Sequence, residues 1–93
     1  MKTLYISDCT EYEAGWGQRA DGFIMGEDQD LMLEYIKTKG NSGERDYFWR
    51  YDEPKRIFCE GAQYKKILAK INEDGVAHYN NGDRGKMKLF IRI

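Results

Sequence analysis

Few residues in this chain have the chemistry of a catalyst. The sequence carries one histidine, His78, and two cysteines, Cys9 and Cys59. A hydrolase or transferase needs a nucleophile, a base beside it and a third group to orient that base. His78 sits between Ala77 and Tyr79 in a stretch that reads as a strand, where a lone histidine is ordinarily a surface or half-buried residue. Cys9, Cys59 and His78 form no C-x-x-C or H-x-x-x-H spacing that would place two metal ligands on one element. Cys59, in an apolar stretch, reads as a small core residue. Gly15-Trp16-Gly17 resembles a phosphate loop only superficially: no lysine follows, and Glu11 and Glu13 before it would repel a phosphate. The expectation is a protein that is not an enzyme and uses no metal and no cofactor.

Recognition chemistry is better represented. Asp8, Glu11, Tyr12, Glu13, Trp16 and Asp21 combine carboxylates with aromatics, a mixture suited to an arginine-rich protein surface or to local mimicry of nucleic-acid charge. The plain alternative has Tyr12 and Trp16 packed on the core and the acids solvated. A second run, DYFWRYDEPKR, interleaves Tyr47, Trp49 and Tyr51 with Arg50, Lys55 and Arg56. Aromatics for stacking beside bases for phosphates are what a single-stranded nucleic acid requires, and the lysines of a following helix could assist. Against that role, Asp46, Asp52 and Glu53 punctuate the run, the pI is about 5.8, and no RNP-type motif is present. The three aromatics serve equally as a sheet face under helices or as an interface.

The elements that must hold these residues follow from periodicity. Lys2 to Ser7 alternates as a strand. Residues 8–20 show no clean period and read as a loop, with Gly15 and Gly17 freeing the backbone and Trp16 anchoring it to the body. Phe23-Ile24-Met25 is a short apolar strand. Glu27 to Lys39 reads as a helix with Asp28 as N-cap, an apolar stripe of Leu31, Met32, Tyr35 and Ile36, and Gly40 as its stop. Asp46 to Glu53 alternates again, Tyr47, Trp49 and Tyr51 against Phe48 and Arg50, until Pro54 ends it. Arg56 to Cys59 is another strand, and Gly61 or Ala62 to Asn72 a second helix with Tyr64, Ile67, Leu68 and Ile71 on one stripe. Val76 to Tyr79 and Lys86 to Ile93 read as a hairpin through Asn81-Gly82. On its second strand Met87, Leu89, Ile91 and Ile93 share one face.

The predicted architecture is therefore an α+β single domain, residues 1–93: an antiparallel sheet of five to six strands with two helices packed on one face, in ββαββαββ order. Phe23–Gly26 and Phe58–Gly61, each followed by a helix and a glycine, echo one another; generic strand–helix units and internal duplication both account for this.

Composition agrees with a small folded body. Ninety-three residues, 41% hydrophobic and 14% aromatic with one proline, exclude disorder, collagen and coiled coil. A chain of this size buries roughly 60–65% of its unfolded surface, enough for one modest core. The apolar runs are too short to span a bilayer, and Met1-Lys2 leads into a strand without a signal-peptide pattern. Net charge is −1, yet residues 1–31 hold seven acids against two bases, and residues 32–93 hold thirteen bases against nine acids. If that split survives folding, one side is acidic and the other basic.

The run Trp16-Gly17-Gln18-Arg19-Ala20-Asp21-Gly22, between a strand and a helix, resembles the opening of small accessory proteins of bacteriophages and prophages. The likeness covers roughly the first 36 residues. It implies a protein made in the cytoplasm of a host bacterial cell that binds and blocks a host or antiviral-defence protein, as anti-CRISPR proteins do. The expected partner is thus a protein, with nucleic acid as the alternative, no membrane, and a monomer or weak homodimer as the assembly state.

Overall fold

The computed structural model describes residues 1–91. Its strands are β1 (Lys2–Glu13), β2 (Gly17–Gly26), β3 (Ser42–Glu44), β4 (Tyr47–Tyr51), β5 (Lys55–Cys59), β6 (Ala77–Tyr79) and β7 (Phe90–Ile91). Between them lie helices α1 (Gln29–Tyr35) and α2 (Gly61–Lys70), a π-helical turn at Ile36–Gly40 and a 3-10 turn at Asn81–Lys86. The class is α+β, as the sequence predicts: an antiparallel sheet with two helices.

Everything is organised on β1. One edge of it pairs with β2 from Tyr5↔Gly26 to Glu13↔Gly17. Its other edge is shared by two strands, β5 along Lys2–Ile6 and β4 along Cys9–Glu13. β3 extends the sheet beyond β4, β6 beyond the second half of β2, and β7 beyond β5. A strand of twelve residues spans about 40 Å, which matches the 42 Å long dimension of the molecule.

The expected loop at 8–20 is instead the far half of a long hairpin. Cys9, Glu11 and Glu13 alternate with Thr10 and Tyr12 across the two faces, but the pattern reads as irregular because a carboxylate, Glu11, occupies a buried position. Trp16 does not anchor this segment: it lies in the turn, 83% exposed.

Three consecutive apolar residues in β2, Phe23, Ile24 and Met25, are all buried. Phe23 and Met25 join Leu4, Ile6, Ile57, Cys59 and Ile67 of α2 in one cluster, while Ile24 joins Met32 and Ile36 of the α1 segment and Val76 in another. Successive strand residues point to opposite faces, so the two helices cover opposite faces of the sheet rather than the one face expected. An apolar run without alternation is what a strand covered on both sides requires. The two strand–glycine–helix units that echo in sequence thus pack on different sides.

Local signals explain the helices. The Asp28 side chain accepts from the Asp30 and Leu31 N–H groups at 2.9 and 3.2 Å, capping α1 as predicted. The α-helical part ends at Tyr35 and widens to π geometry through Gly40. There Gly40 packs closely against Tyr35 and Tyr51: a Cβ would sit 3.1 Å from each ring, so the rings would have to give by a few tenths of an ångström. α2 buries Ile67 and half-buries Tyr64 and Leu68, with Ile71 just past its end.

Among the described residues, the predicted C-terminal hairpin does not form. Asn80 and Asp83 make a reciprocal capping box that winds residues 81–86 into the 3-10 turn. β6 then pairs with β2 and β7 with β5, on separate edges of the sheet. Met87 and Leu89 pack against the α2-side cluster, as their spacing suggests; Arg92 and Ile93 lie outside the described residues.

A bulge separates the two ends of the hairpin, between the pairs Asp8↔Phe23 and Thr10↔Ala20. Gly22 makes it with φ +83°, and a Cβ there would sit 2.5 Å from the Tyr79 carbonyl oxygen. Gly22→Ala is expected to cost about 2 kcal/mol, from left-handed strain and forced separation of β2 from β6. Chemical denaturation checks this, and an unchanged midpoint would contradict the close approach.

Candidate functional site

Strand pairing brings together the two runs that the sequence presents as separate candidates. β4 lies on the distal half of β1 in the register Glu11↔Trp49 and Glu13↔Tyr47. On the other side of β1, Glu11 faces Arg19 and Glu13 faces Gly17. β3 completes the rows with Ser42↔Trp49 and Glu44↔Tyr47. Directly opposed residues share a face, so one face of the hairpin end reads Glu44–Tyr47–Glu13 in one row and Trp49–Glu11–Arg19 in the next. Asp21, beside the bulge, is exposed near this face and contributes to the field around Arg19 and Cys9.

Glu11 is 6% exposed, and its carboxylate is held by the Arg19 guanidinium: Nε to Oε1 at 3.1 Å and Nη2 to Oε2 at 3.3 Å. A buried carboxylate needs such a two-pronged partner. The same bond raises the Arg19 pKa. Burial, with the neighbouring Glu11 and Glu13 charges, holds the Tyr47 phenol above its ordinary value. The Tyr47 and Trp49 rings stand perpendicular, 4.8 Å between centroids at 88°. Glu11, Glu13, Arg19 and Tyr47, with Trp16 in the turn, line an open cleft of about 370 Å³; Trp49 stands behind Tyr47 and is not part of the lining.

The other candidate residues are dispersed. Asp8 and Tyr12 point to the opposite face, where Asp8 pairs with Arg84 and Tyr12 stacks on Phe48 at 5.0 Å. Arg50 lies on that opposite face too, its guanidinium 4.7 Å from the Phe48 ring centre. Tyr51 packs against Tyr35 of α1. Lys55 and Arg56 belong to β5, opposite Ile6 and Tyr5 in the other half of the sheet. Arg19 and Glu44 are members of the site that sequence reasoning missed. The signal for Arg19 was its symmetry with Glu11 about Gly15, the centre of the turn.

Charge separates along the long axis. The hairpin end, residues 8–21 and 42–52, carries seven acids and three bases, and the rest of the described residues nine acids and eleven bases. This division is not the one counted along the sequence, residues 1–31 against 32–93, because β1 runs through both ends.

Cys9, Cys59 and His78 do not converge. Cys59 lies opposite Lys2, Cys9 opposite Tyr51, and His78 is exposed on β6 with its ring edge-on to Tyr35. Among the described residues, no three His, Cys, Asp or Glu side chains group as metal ligands. Burial, reinforced by Asp21, pushes the Cys9 thiol up to about 11 from 9.0. The folded state favours the protonated thiol, so its contribution is complete below pH 9 and fades as pH rises towards about 11. Cys9→Ala is expected to flatten this alkaline loss of stability in melting curves taken from pH 8 to 11. An alkaline limb identical to that of the parent protein would contradict it.

Among the described residues, no helix is long and apolar enough to cross a membrane. Compared with protein-family models, curated proteins and solved structures, the chain matches none.

Proposed function

We propose that this chain is a non-enzymatic binding protein that docks its hairpin end onto a basic surface of a protein partner. The observation that carries this is Trp16: a tryptophan 83% exposed, at the tip of a hairpin, beside a cleft walled by Tyr47 and two carboxylates. An indole contributes little burial in that position in the free molecule, and buried tryptophans with flanking charges are the usual anchors of protein interfaces. The acid-rich end supplies attraction and orientation towards a basic partner.

By covering that surface the protein blocks its partner, in the manner of phage inhibitors of host or antiviral-defence proteins acting in the bacterial cytoplasm. The resemblance of the Trp16–Gly22 run supports this extension, because that run builds the tip, the Arg19 pair and the bulge. Binding of single-stranded nucleic acid draws less support: Glu11, Glu13 and Glu44 stand beside Trp49 and Tyr47, and Arg50, Lys55 and Arg56 lie elsewhere.

Affinity capture from nuclease-treated bacterial lysate tests the proposal, with Glu13→Lys as the matched variant. Glu11 is unsuitable for charge reversal, because a lysine there would be buried against Arg19. The expected result is a stoichiometric protein captured by the parent and lost with Glu13→Lys. Equal capture by both proteins, or dependence of capture on nucleic acid, would overturn it.

A further inference from the structure

Resting on that reading, we infer that the cleft at the hairpin tip seats an arginine side chain of the partner. Its two carboxylates are not equivalent. Glu11 is buried and already engaged by Arg19, whose charge it neutralises at 3.0 Å. Glu13, next on the same face, is exposed and forms no ion pair among the described residues. The cleft is thus left with one uncompensated negative charge, beside the Tyr47 ring and the open indole of Trp16.

The geometry selects among cations. A guanidinium is planar, offers a pair of N–H donors to one carboxylate, stacks on aromatic faces and sheds water more readily than an ammonium. Glu13 supplies the fork and Trp16 the stacking plane. A quaternary ammonium has no N–H for Glu13 and is held best by a closed aromatic box, whereas this cleft is open and has polar walls. A lysine ammonium would gain the charge but neither the fork nor the stack.

Titration with capped single residues tests this, using N-acetyl-arginine N-methylamide and its lysine and norleucine counterparts. The indole N–H resonance of Trp16 in 15N-labelled protein is the readout, assigned by its loss in Trp16→Phe. The expected result is a saturable shift with the arginine compound in the millimolar range, at least about fivefold weaker with lysine and absent with norleucine. Glu13→Gln, a substitution at an exposed position, is expected to weaken the arginine response about tenfold. No saturable response, equal responses to arginine and lysine, or a matching response to norleucine would each overturn the inference. A partner captured by the parent and lost with Glu13→Lys, alongside any of those results, would leave the docking surface standing and remove only the arginine seat.

Discussion

Trp16→Ala is expected to leave the melting temperature of the free protein unchanged while weakening partner binding by about 30-fold or more. The two halves of that expectation have one cause. Trp16 is 83% exposed and contributes little burial to the folded monomer, so its removal stays within the ±0.5 kcal/mol typical of surface changes. At an interface the same indole would bury its full surface, and truncating an anchor tryptophan costs about 2 kcal/mol or more. Differential scanning calorimetry and calorimetric titration of the captured partner measure both halves. A fall in melting temperature would mean that Trp16 packs on the body after all; undiminished affinity would remove it from the interface.

The opposite dissociation is expected at Ile67. This side chain is fully buried on α2 against the cluster of Leu4, Ile6, Phe23, Met25, Ile57 and Cys59. Ile67→Ala removes about three methylene equivalents and leaves a cavity in a core that cannot fully collapse, a cost of about 2–5 kcal/mol. For a domain of this size that lowers the melting temperature by about 10 °C or more. The folded fraction is expected to bind the partner with unchanged affinity, because α2 lies on the far half of the sheet from the hairpin tip. A shift of only a degree or two would contradict the packing of α2 on the β1–β2–β5 face.

Much of the core was legible in the sequence and much of the site was not, for a common reason. The second helix announces itself because Tyr64, Ile67 and Leu68 fall on one stripe with lysines elsewhere, and each choice agrees with its neighbours. Asp28 announces the first helix in the same local way. The hairpin end breaks local rules: Glu11 looks like a surface residue and is buried, Trp16 looks like a core residue and is exposed. Both exceptions belong to the candidate site, where consistency between sequence and burial is expected to fail. The C-terminal third misled through a different route. Asn81-Gly82 is a strong hairpin signal, but the Asn80–Asp83 capping box used it for a 3-10 turn, and strand pairing was then decided by distant edges. That Glu11 and Glu13 would meet Trp49 and Tyr47 depended on β1 being long enough to pair with both β5 and β4, a property of no single segment.

Docking through the hairpin end fixes where partner contact falls on the molecule. Hydrogen–deuterium exchange of the protein, free and in its captured complex, measures it directly. Slowed exchange is expected in residues 13–21 and 42–49, with α2 unchanged. Slowing confined to α2 and the 81–86 turn, where Lys66, Lys70 and Lys86 line a groove, would contradict it and place binding at the basic end.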